Sequence, residues 1–154
     1  PSEALPVPAG ISSPDSLPSG IHRDLYSLWL GKCAPGQLPG RADFDPREMP
    51  RLLPFVTLID VERDPLRFRI RLVGTAVVAA TGLDMTGRYL EEMNQIEPAL
   101  ERCRHLVETA YPYFHTDLPL VWSSHNFKSY SVLSLPLAAD GLAVDKILMS
   151  LQFE

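Results

Sequence analysis

The most regular hydrophobic pattern in the chain runs over residues 96–111. Ile96, Ala99, Leu100, Cys103, Leu106, Val107, Ala110 and Tyr111 recur there with the 3.6-residue period of an amphipathic helix. Glu101, Arg102, Arg104, His105 and Glu108 fall on the opposite, charged face. A second helix is expected from Ser19, its N-cap, to Gly31, with Leu25, Leu28 and Trp29 at i, i+3 and i+4 as its apolar stripe. A third start signal is unusually complete: Asp45 as N-cap, Pro46 at the first helical position and Glu48 closing a capping box. Phe44 and Met49 form the flanking staple, and Pro50 and Pro54 keep the element short.

Elsewhere the period shortens to two. Residues 55–62 are apolar on both faces, as in an interior strand covered on both sides. After the Asp64-Pro65 turn, residues 67–73 alternate strictly, with Phe68, Ile70 and Leu72 on one face and Arg67, Arg69 and Arg71 on the other. Residues 74–80 form a short apolar helix closed by Gly82. A turn over 84–87 precedes another short helix carrying Tyr89, Leu90 and Met93. Three strands close the chain: 118–122 and 129–137 around a loop at 123–128, and then, after the Asp140-Gly141 turn, a strand that alternates Ile147, Met149, Leu151 and Phe153 against more polar positions. Strands segregated from helices in this way give an antiparallel sheet with helices on a face, an α+β domain with room for a pocket between the layers.

Composition narrows the function more than the fold. With 154 residues, 45% apolar and 21% charged, the chain suits one soluble domain, and no apolar run approaches the length of a membrane helix. Residues 1–20 hold five of the fifteen prolines without apolar periodicity, so they read as a flexible lead-in, with a single domain over 21–154. A net charge of −5 with no basic stripe argues against a nucleic-acid partner. No secretory leader is evident, and a cytoplasmic location is the default expectation. Cys33 and Cys103 have no disulfide or metal spacing.

The stretches LYSLWLGK, LPGRADFDPREMPRLLP, RFRIRLVGTAVVAATGLDMTGRYL and LPLAADGLAVDKIL, in that order over residues 25–148, resemble the PAS domain, and more narrowly the short PAS-like proteins of alphaproteobacteria. The resemblance implies a five-stranded antiparallel sheet in order 2-1-5-4-3, helices on one face and an N-terminal helix on the other. It implies a sensory or regulatory role and carries no catalytic motif. In that order the 67–73 strand is an edge, where its arginine row would discourage unwanted pairing.

Cofactor readings are weaker. Cys103-Arg104-His105-Leu106 echoes the flavin-binding motif of light-sensing PAS relatives, but the cysteine lies within the long helix on its core stripe. His105, tested as a haem ligand, falls on the polar face. Ser123-Ser124-His125 has no nucleophile elbow and reads as a loop. The expectation is therefore no cofactor, no metal and no catalytic residue. Tyr89, Met93, Trp122, Tyr130 and Met149 are the candidate lining of a pocket for a small apolar or amphipathic ligand. Leu25, Leu28 and Trp29 are the candidate surface for a homodimer or a signalling partner.

Overall fold

In a computed structural model, which describes residues 14–17, 20–120 and 129–154, five strands pair antiparallel into one sheet. They are β1 (Val56–Glu62), β2 (Arg67–Val73), β3 (Tyr113–Pro119), β4 (Ser129–Leu137) and β5 (Lys146–Phe153), in the order β2-β1-β5-β4-β3. This is the expected order. Helix α1 (Gly20–Lys32) covers one face, and α2 (Thr75–Thr81) and α3 (Glu97–Thr109) cover the other. The sheet is thus the middle of three layers, which accounts for the two apolar faces of β1: Val56 and Leu58 pack beneath α1, while Ile59 and Val61 join the α2–α3 side. In β4 the same division sends Leu133, Leu135 and Leu137 toward α1 and Tyr130 and Val132 the other way.

Several sequence expectations shift in detail. Leu72 is 42% exposed, against 0% for Phe68 and 4% for Ile70. Leu58 pairs with Leu72 and the next residue, Ile59, with Ile70, which leaves Arg71 as an extra residue in β2. A bulge of one residue reverses the side-chain parity, so Leu72 turns out of the core that strict alternation predicts for it. β3 begins at Tyr113, ahead of the expected 118–122; its polar run His115-Thr116-Asp117 carries a second irregularity, which hides the strand period. Residues 121–128, with the Ser123-Ser124-His125 loop, lie outside the described residues, as does the Ser19 cap. The lead-in is tied down at its end: Pro14–Ser16 forms a 3-10 turn and Leu17, 1% exposed, packs with α1.

The capping box over 45–48 is present on a 3-10 turn, Pro46–Glu48. Asp45 accepts from the Arg47 amide at 2.9 Å, and the Asp45 amide donates to Glu48 at 3.3 Å. Lys32 pairs with the same Glu48 at 2.9 Å, joining this turn to the end of α1.

Gly74 leads β2 into α2. Its amide donates to Val56 O at 2.7 Å, and a Cβ at this position would collide with the backbone oxygens of Leu53 and Pro54. Backbone cannot swing aside as a flexible side chain can, so Gly74→Ala is expected to cost about 2–3 kcal/mol, read as a lower urea midpoint at unchanged m. At the other end of α2, Gly82 takes φ 75° and lets its amide cap the helix on Val78 O.

Candidate functional site

Between α2, α3 and the inner face of the sheet lies a cavity of about 90 Å³. Ile59, Ile70, Met149 and Tyr130 form its floor, Val77 and Thr81 of α2 one wall, and Met93, Ala99 and Cys103 the other. One water needs roughly 10–15 Å³, so the space admits a molecule of several heavy atoms. The wall is almost wholly apolar, with one charged exception. Arg102 of α3 lies 7% exposed at the cavity and donates to the Tyr130 hydroxyl at 3.2 Å.

Of the five residues expected to line a pocket, the structure brings Met93, Tyr130 and Met149 together in the wall. Trp122 lies outside the described residues. Tyr89 does not line the cavity. Its hydroxyl donates to Glu62 at 2.9 Å, and the Arg67 guanidinium lies over its ring at 4.3 Å. The surrounding segment runs along the outer edge of β2: the Ile70 amide donates to Arg88 O, the Gly87 amide to Ile70 O, and the Phe68 amide to the Glu91 carboxylate. The edge is therefore closed by the chain's own backbone, and its arginines are engaged: Arg67 pairs with Glu62 at 3.2 Å and Arg71 with Asp60 at 2.7 Å. Tyr89 occurs there because its aromatic face and phenol latch that segment to charged side chains.

The sequence reading placed Arg102 on the solvated face of α3, and here it is corrected. Residue 102 sits three after Ala99 and four before Leu106, both on the apolar stripe, and that i, i+3, i+4 relation was the available signal. His22 was likewise missed as a structural residue. Fully buried between α1 and the sheet, it holds Ser150 Oγ from Nδ1 at 2.6 Å and Ser131 Oγ from Nε2 at 2.9 Å, with Phe114 edge-on at 5.1 Å. Burial lowers its pKa to about 4, so the ring is neutral at pH 7.

A PAS domain family model matches residues 18–149 of the chain. The chain belongs to the PAS domain family. PAS domains are typically sensory or regulatory modules. Among solved structures, the PAS domain of the histidine kinase ThkA is similar at 16% identity and a TM-score of 0.47, over 63% of this chain and 98% of that one. A comparison with curated proteins finds no match.

Within this PAS domain the cavity faces α3, and Cys103 stands in its wall, 1% exposed. Burial pushes its thiol up to about 12, so at neutral pH it is a protonated packing group rather than a nucleophile. Burial also holds the Tyr113 hydroxyl well above its ordinary range, and at neutral pH the phenol is neutral. His105 is exposed on the outer side of α3. Among the described residues no three His, Cys, Asp or Glu gather as a metal site, and no helix is long and apolar enough to cross a membrane.

The stripe expected to serve a partner is used within the PAS domain itself. Leu25 is 0% and Trp29 5% exposed, both packed with Leu28 onto Leu133, Leu135, Leu137 and Leu148 of the sheet. The Trp29 indole donates to Pro136 O at 3.0 Å. These three residues are therefore not a free docking face; α1 presents its opposite side outward.

Proposed function

We propose that this PAS domain is a non-catalytic sensory or regulatory module that holds a small apolar or amphipathic molecule between α2, α3 and the sheet. The observation that carries this reading is the cavity itself, large enough for a ligand and walled mainly by apolar side chains. Ligand occupancy would alter the packing of α3 on the sheet, and the central sheet links that layer to α1. A second copy or a signalling protein would read the change through the outward side of α1 or the exposed ends of the sheet. The motifs shared with short alphaproteobacterial PAS-like proteins support placing the chain in that narrower group.

Thermal-shift screening of small apolar compounds, with native mass spectrometry of the purified protein, tests the ligand. A ligand at one hundred times its dissociation constant adds about 2.7 kcal/mol of stability. The expected result is a rise in melting temperature with some members of the set; a flat response across it, with no retained mass, would remove the ligand from this reading. An absorption spectrum is expected to show no Soret or flavin band, and either band would replace the apolar ligand with a cofactor. Size-exclusion chromatography with light scattering, run with and without ligand, reads the proposed second copy.

A further inference from the structure

We propose that the cavity binds a small apolar monocarboxylate, whose carboxylate is received by Arg102 and Tyr130; this rests on the ligand-site reading above. Arg102 is a buried cation that, among the described residues, donates to a neutral phenol, the Tyr130 hydroxyl at 3.2 Å. Among the described residues no carboxylate lies within ion-pair distance of it. The neighbouring acids are engaged elsewhere: Glu97 and Glu101 both pair with Arg104 at 2.7 Å, and Glu91 receives the Phe68 amide. Residues 121–128, VWSSHNFK, contain no acidic side chain that could serve.

A guanidinium held out of water without a counter-charge is costly, and a methionine would fill the same wall without that cost. A bound anion removes the penalty. The guanidinium presents a planar fork of N–H donors that fits a carboxylate by two parallel hydrogen bonds, and the Tyr130 hydroxyl can turn to donate to the same group. A single cation in an apolar setting selects a singly charged head. Ile59, Ile70, Val77, Met93 and Met149 then leave only hydrocarbon or an aromatic ring to contact. With about 90 Å³ available, the whole molecule has on the order of six to ten heavy atoms.

The test is isothermal titration of the full chain at pH 7 with hexanoate and benzoate, each against its neutral counterpart, hexan-1-ol and benzyl alcohol. The expected result is that each acid binds at least about tenfold more tightly than its alcohol, from the charge-assisted pair. In Arg102→Met that advantage is expected to disappear, and in Tyr130→Phe to shrink severalfold. Equal binding of acid and alcohol to the unaltered protein would overturn the carboxylate and leave the apolar cavity standing as a ligand site. Absence of binding by all four probes would overturn both. An acid preference that survives Arg102→Met would overturn the role of Arg102. Should that variant fail to fold, the comparison in the unaltered protein and the Tyr130→Phe titration still decide.

Discussion

Trp29→Ala is expected to lower the unfolding free energy by about 4 kcal/mol. Trp29 is 5% exposed, stacks on Tyr26 at 6.0 Å between ring centroids, and packs against the leucines of β4. Its removal opens a void between α1 and the sheet and withdraws the indole donor from Pro136 O. The seam cannot collapse easily, because Leu133, Leu135 and Leu137 are held by the pairing of β4 with β5, and Leu133 by β3 as well. Urea denaturation followed by circular dichroism measures the loss. A variant of unchanged midpoint whose self-association is abolished would instead make Trp29 an interface residue, contrary to its packing.

The second large effect is one of pH. Lowering the pH from 7 to 5 is expected to remove about 2 kcal/mol of stability through His22 alone, rising to about 3 kcal/mol by pH 4. The folded state depresses the pKa of His22 from 6.5 to about 4, by burial. Above pH 6.5 the ring is neutral whether the chain is folded or not, and stability does not depend on it. Between 6.5 and 4 the unfolded chain takes up a proton that the folded chain refuses, so acid favours unfolding. Below about 4 both states are protonated and the loss is complete. The described groups that contact the ring include Ser131, Ser150 and Phe114, which carry no negative charge to offset an imidazolium. Asp45 and Glu92 are held below their ordinary carboxylate range by Arg47 and Arg88, and Glu48 by Lys32, so their contributions fade only at lower pH. His22→Gln retains hydrogen bonding toward the serines and is expected to flatten the slope between pH 7 and 5. A slope that persists in His22→Gln would assign the acid sensitivity to other groups.

His22 also bears on how firmly α1 is held to the sheet. α1 is fastened to the sheet by apolar packing, the Trp29 indole and this one neutral ring, so protonating the ring weakens the layer through which the proposed module would report.

Much of the architecture was legible in the chain because local physics is repeated along it. The two-residue period of β5 and of β2 up to Ile70, the 3.6-residue period of α3, the Gly82 stop and the 45–48 capping box are each present. The apolar faces of β1 announced a strand covered on both sides, which the three-layer arrangement explains. The candidate site was legible in part. Met93, Tyr130 and Met149, singled out as large side chains between helices and sheet, all line the cavity. Tyr89 has the same chemistry but caps an edge strand, because the pairing of Gly87 and Arg88 with Ile70 sets the direction of that segment.

The sequence by itself determined the fold class, the covered sheet and the apolar character of the space beneath α3, since these follow from periodicity and burial of side chains in bulk. Tertiary structure alone decided which polar groups are enclosed. A one-residue bulge at Arg71 turned Leu72 outward. Two serines more than one hundred positions away gave His22 its neutral buried site, and Tyr130, on a strand distant in sequence, drew Arg102 into the cavity wall. A charged or titratable side chain has no fixed side in a periodic pattern, because its burial depends on a partner that only the folded chain brings within hydrogen-bond distance.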